Sequence, residues 1–103
     1  MGYTTSTYFL RETDEFATWL EALHDMRAKG RILARLRSAR LGNLGDVRSV
    51  GGGLSEMRIH VGAGYRIYFT QREQVVLLLL CGGDKASQAR DIARARKLAI
   101  QHE

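Results

Sequence analysis

Glu56, Arg58, His60, Arg66, Tyr68 and Lys85 carry side chains able to act on a phosphodiester, and they crowd into one stretch of the chain. Cleaving RNA by attack of its own 2′-OH needs a base for that hydroxyl. It also needs cations for the charge that builds on the phosphorus oxygens, and an acid for the departing 5′ oxygen. Arg58 and Arg66 suit the charge role, since a guanidinium matches phosphate geometry with a two-pronged fork. Lys85 is expected to reach the same phosphate from the side. His60, with an ordinary pKa of about 6.5, or Glu56 would take the proton, because neighbouring cations hold the imidazole neutral and the carboxyl ionised. Tyr68 is expected to donate a proton or to stack on a base. Arg48, Arg35 and Arg37 add cations along an RNA path. No cluster with metal-ligand spacing accompanies these residues, so the expected chemistry uses neither metal nor cofactor.

Those groups need a scaffold that brings them together. Leu54 to Val61 and Tyr65 to Thr70 alternate in polarity as strands do, and Gly62-Ala63-Gly64 between them permits a tight hairpin loop. A regular pairing around that loop sets Val61 opposite Tyr65, His60 opposite Arg66, Ile59 opposite Ile67, Arg58 opposite Tyr68, and Met57 opposite Phe69. One face is then core, and the other gathers Glu56, Arg58, His60, Arg66, Tyr68 and Thr70 in solvent. Solvated strands alternate in this way even without a site. Arg66 is expected to be exposed, its loss costing within about 0.5 kcal/mol.

The first ten residues favour strand, and Thr13-Asp14-Glu15 supplies a cap and acids for a helix start. Phe16, Trp19, Leu20, Leu23 and Met26 form one apolar helical stripe. A second helix with Ile32, Leu33 and Leu36 resumes after Gly30 and ends at Gly42, giving a helical hairpin. A short edge strand fits Val47 to Val50. Val75 to Leu80 is apolar without alternation and reads as an interior strand closed by Gly82-Gly83. The Arg- and Ala-rich segment from Ser87 to Ala99 reads as a weakly docked helix, or one held by a partner. The predicted fold is a single α+β domain over 1–103, with two N-terminal helices and a C-terminal helix on a mainly antiparallel sheet of about four strands.

With 103 residues, 16 Lys and Arg against 11 Asp and Glu, and a net charge of +5, the chain is suited to a polyanion or an acidic protein. Its single cysteine, Cys81, excludes an internal disulfide and fits a reducing compartment. No apolar run is long enough to span a membrane, and the N-terminus lacks a leader-like pattern, so a cytoplasmic protein is expected.

The motifs W-L, I-L-x-R-L, G-N-x-G-D-V-R, G-x-G-L-S-E-M-R-I, G-x-G-Y-R-I-Y-F, L-L-L-L-C-G-G-D-K and Q-x-R-D-I follow one another from about Phe9 to Ala99. In this order they resemble the RelE/HigB superfamily of bacterial toxins, and within it the short addiction-module killer branch. The resemblance implies a RelE-like fold and a type II toxin that cuts mRNA in the ribosome without a metal. It also implies a cognate, acidic helix-turn-helix antitoxin as partner. Arg66 matches the catalytic arginine of the superfamily, Arg58 a second basic residue on the preceding strand, and Lys85 lies near a third. A C-terminal catalytic tyrosine found in some relatives has no counterpart in Ala86–Glu103, and Ala63 stands where this branch often has Pro. The same superfamily contains ParE-like proteins that poison DNA gyrase by binding, which is the alternative function. A degenerate member acting only in repression with its antitoxin is a third.

Overall fold

The computed structural model describes residues 7–103. The part of the expected N-terminal strand that falls on residues 1–6 lies outside them. The chain runs β1 (Phe9–Glu12), α1 (Asp14–Ala22), α2 (Met26–Arg40), β2 (Val47–Gly51), β3 (Leu54–Ile59), β4 (Tyr65–Arg72), β5 (Val76–Asp84), a 3₁₀ turn (Lys85–Ser87) and α3 (Gln88–Gln101). The strands form one five-stranded sheet in the order β1-β5-β4-β3-β2. β1 pairs parallel to β5, and the remaining neighbours are antiparallel.

The sheet expected from the sequence, about four mainly antiparallel strands, is therefore wrong: it is five-stranded and mixed. β1 has only four residues, and its partner lies more than sixty positions away, so no local pattern announces the pairing. The helices divide between the two faces. Phe16 of α1 and Ile32, Leu36 and Ala39 of α2 pack with Met57, Ile59, Ile67, Phe69, Leu77 and Leu79 on one side. Ala95 and Leu98 of α3 pack with Leu54, Tyr68, Leu78, Leu80 and Cys81 on the other.

Local chemistry explains the joints. Thr13 is buried at the start of α1, where its Oγ1 accepts from the Phe16 amide at 3.0 Å and donates to the Leu80 carbonyl at 2.6 Å. One hydroxyl thus caps the helix and ties it to β5. That carbonyl belongs to a bulge: Tyr68 faces Cys81 while Phe69 faces Leu79, leaving Leu80 as the extra residue. α1 ends at Ala22, before the predicted stripe does, because Asp25 accepts from the Ala28 amide and starts a new helix. Met26 accordingly stands 70% exposed instead of in the core. α2 then runs unbroken through Gly30.

β5 likewise does not stop at the glycine pair. It continues through Gly82 and Gly83 to Asp84, because both positions need an absent side chain. A Cβ at Gly82 would lie 2.5 Å from the Trp19 ring, and one at Gly83 would collide with Asp91 and Ser87. The expectation that α3 docks weakly also fails. Arg94 forms a fork with Glu15, with contacts of 2.6 to 3.0 Å, and Arg96 donates to the Val50 and Gly51 carbonyls. Arg72 in turn caps the helix end through the Ala99 and His102 carbonyls. No helix among the described residues is long and apolar enough to cross a membrane.

Two outcomes follow. Gly82→Ala should cost about 1 to 3 kcal/mol by overpacking against Trp19, as read by denaturant unfolding, and most of that loss should vanish in a Trp19→Leu background. Burial pushes the Cys81 thiol pKa up to about 12, so in the native protein it should resist thiol-specific reagents at neutral pH and react only on unfolding.

Candidate functional site

The hairpin register differs from the expected one. Met57 faces Ile67, Arg58 faces Arg66 and Ile59 faces Tyr65, each strand stopping short of a five-residue connection. The first positive-φ glycine of that connection, Gly62, sits so close to Asp25 that a Cβ would lie 2.7 Å from its carboxylate. The shift is two positions, so every residue keeps its predicted face but meets a different neighbour. Arg58 and Arg66 become direct cross-strand partners on one rung. Glu56 faces Tyr68 on the next, with Arg48 of β2 on the far side of Glu56.

Like charges directly opposite each other repel, so the arginine pair requires anions. Asp46 supplies one: its Oδ1 accepts from Arg58 Nη2 at 2.9 Å, and its Oδ2 lies 2.5 Å from His60 Nε2. Those two hydrogen bonds hold the Asp46 carboxyl at about 2, well below the usual carboxylate range. An ionised carboxylate only accepts, so His60 must donate through Nε2, and a neutral imidazole then presents a bare Nδ1. The His60 side chain is 71% exposed, which leaves that nitrogen open to a substrate.

Glu56 supplies the second anion, from beneath. It is fully buried, and its Oε2 accepts from Gln88 Nε2 at 3.0 Å. The same oxygen lies 3.3 Å from Arg66 Nε, close enough for charge attraction but not aligned as a hydrogen bond. Arg66 retains Nε and Nη1 as buried donors without an aligned acceptor. Its side chain is only 14% exposed, against 29% for Arg58.

These positions correct the sequence expectations. The face carrying Glu56 and Tyr68 is not solvated, because α3 covers it. Glu56 is shut away from any substrate, so it is a counter-ion and not a surface base. Tyr68 is fully buried with an unpartnered hydroxyl, and burial together with the Glu56 charge raises its pKa. It neither stacks on a base nor donates to one from there. Arg66 is not the freely exposed residue expected. Removing it would strand a buried carboxylate, a loss of about 3 to 5 kcal/mol and not 0.5.

Arg35, expected on an RNA path, spends its donors on main chain. Nη1 reaches the Arg58 carbonyl at 2.6 Å, and Nη2 reaches the Leu44 and Asp46 carbonyls at 2.9 and 3.2 Å. It thereby fixes the loop that presents Asp46. The loop glycine Gly45 has φ +69, and a Cβ there would meet the Arg35 guanidinium at 2.7 Å. Arg37 is exposed on α2, which packs on the opposite face of the sheet from the arginine pair. Arg48 is exposed beside Glu56. Lys85 is exposed in the 3₁₀ turn, its Cβ 3.5 Å from where one would stand on Gly64 at the head of β4.

Sequence reasoning missed Asp46 and Gln88. Asp46 had a signal, an acid between Gly45 and a cationic strand, but its partners are 12 and 14 positions away. Gln88 had none, since only the docking of α3 brings it over Glu56.

No family model matches this chain. An uncharacterized protein of Haemophilus influenzae is 44% identical to it over 93 residues, which is 90% of this chain and 94% of that protein.

Asp46 also sets an acid-stability test. Its folded pKa lies below its unfolded one, so the unfolded chain binds the proton first. The stabilisation is complete above the unfolded value and is lost as pH falls toward about 2. Asp46→Asn should flatten the fall in melting temperature across that acid window while lowering stability near neutrality.

Proposed function

The chain belongs to one family with that Haemophilus influenzae protein, and we propose that it is the toxin of a type II toxin–antitoxin pair, a cytoplasmic endoribonuclease that halts growth by cutting translated mRNA without a metal. The observation that carries this reading is the direct pairing of Arg58 with Arg66 on one rung, with the exposed His60 side chain joined to Arg58 through Asp46. The motif resemblance supports the same reading. A cognate acidic helix-turn-helix antitoxin and the ribosome with its mRNA are the proposed partners.

In this mechanism the RNA phosphate settles across the Arg58–Arg66 rung with Lys85 alongside. His60 Nδ1 takes the proton of the 2′-OH, whose oxygen bonds to phosphorus. The P–O5′ bond breaks to leave a 2′,3′-cyclic phosphate and a 5′ hydroxyl, the departing oxygen taking a proton from solvent. Asp46 holds the imidazole tautomer and balances the charge that His60 gains, in the manner of a base–orienter pair. The guanidiniums bind the extra negative charge of the pentacoordinate state more tightly than that of the starting phosphate.

One observation favours the non-enzymatic, gyrase-binding alternative. With Tyr68 and Glu56 buried, the exposed proton-transfer candidates reduce to His60, and that imidazole is already hydrogen-bonded to Asp46. Induction with mapping of transcript 5′ ends separates the two. Arg66→Lys keeps a cation beside Glu56 but removes the fork. It should lower cleavage by about 100- to 1,000-fold while keeping the fold, and His60→Ala should do likewise. Growth arrest with intact transcripts and altered plasmid supercoiling would reject the nuclease in favour of gyrase binding.

A further inference from the structure

α2 carries six Lys and Arg residues, and no acid stands between Asp25 and Asp46. Arg35 is spent on carbonyls, and Lys29 reaches back to the Glu21 carbonyl. Arg27, Arg31 and Arg37 are exposed and form no ion pair among the described residues. Beside Arg27 and Arg31, and ending at Arg37, runs a line at helical spacing, Met26, Gly30 and Leu33, on the side turned away from the core. Met26 is 70% and Leu33 41% exposed.

Gly30 is the informative member. It occupies a helix interior, its φ is not positive, and a Cβ there would meet nothing within 4 Å. Nothing within the described chain requires a glycine at this point, although glycine weakens a helix relative to alanine. A bare backbone between two exposed apolar side chains makes a saddle into which another helix can settle at close range. The flanking guanidiniums select the sign of that helix. Nucleic acid would use the cations but gain nothing from the methionine, the leucine or the missing side chain.

We propose that the outer face of α2 docks an acidic amphipathic helix of a partner protein, on the side of the sheet opposite the arginine pair. The apolar side of that helix covers Gly30 between Met26 and Leu33, and its carboxylates meet Arg27, Arg31 and Arg37. The assignment rests on this face alone and stands whether or not the protein is a nuclease.

A synthetic amphipathic helix, leucine on one face and glutamate on the other, serves as probe against the full-length, isotope-labelled chain, beside a scrambled peptide of equal composition. The expected result is saturable binding that weakens at high salt. Amide shifts should be confined to the outer face of α2, and affinity should fall by at least about tenfold in Gly30→Gln and in the Arg27→Glu/Arg31→Glu pair. Gly30→Gln should meanwhile raise the melting temperature by a few degrees, so that weaker binding cannot be ascribed to unfolding. The proposal is overturned if the scrambled peptide binds equally, if the shifts fall elsewhere, if Gly30→Gln binds undiminished, or if a short RNA displaces the peptide from the same amides.

Discussion

The carboxylate of Glu56 sits inside the protein between the sheet and α3, and much of the rest is arranged to tolerate it. An isolated charge there would be prohibitive, so it is met by the Gln88 amide from above and the Arg66 guanidinium from the side. Gln88 is the first residue of α3, which makes the docking of that helix and the placement of Arg66 one event. The far end of the helix is secured separately by Arg72 and Arg96. Arg66 is thereby held beneath the surface, its reach set by packing and not by a free side-chain search.

Asp46 does the corresponding work from outside. Two arginines on one rung repel, and each is neutralised on its own flank, so that they stay adjacent without closing on each other. The Asp46 loop keeps its shape because Arg35 bonds three of its neighbouring carbonyls, an interior use of arginine that suits a planar, always-charged group. Anchor and site thus share one small piece of chain: Arg58 donates its main-chain amide to Asp46 and its side chain to the same residue.

Much of this was legible. The alternation of β3 and β4 assigned Arg58, Arg66, Glu56 and Tyr68 to one face, and a two-position register shift preserved that assignment because strand faces repeat every second residue. The Thr13 cap, the edge strand at Val47 and the apolar interior of β5 followed from propensity and pattern. What escaped was long-range. Nothing near Phe9 tells that it pairs with Val76, and nothing in the Ala- and Arg-rich tail tells that it covers the face that looked solvated. Burial of Glu56 and Tyr68 was therefore invisible, and with it the distinction between a surface base and an internal counter-ion. The glycine pair in β5 misled for a related reason: it marks close packing by Trp19 and Asp91, not a strand end.

The two faces of the sheet are thus unlike, with the paired arginines on the α3 side and a basic, partly apolar helix on the other. The proposed phosphate grip is best examined by following the Nε–H resonances of Arg58 and Arg66 while the labelled protein is titrated with a short 2′-O-methylated RNA, which lacks the 2′-OH needed for cleavage. Both signals should move along one saturation curve. If the RNA saturates the protein while the Arg66 signal stays fixed, the guanidinium is only a partner for Glu56 and the account of the site is wrong.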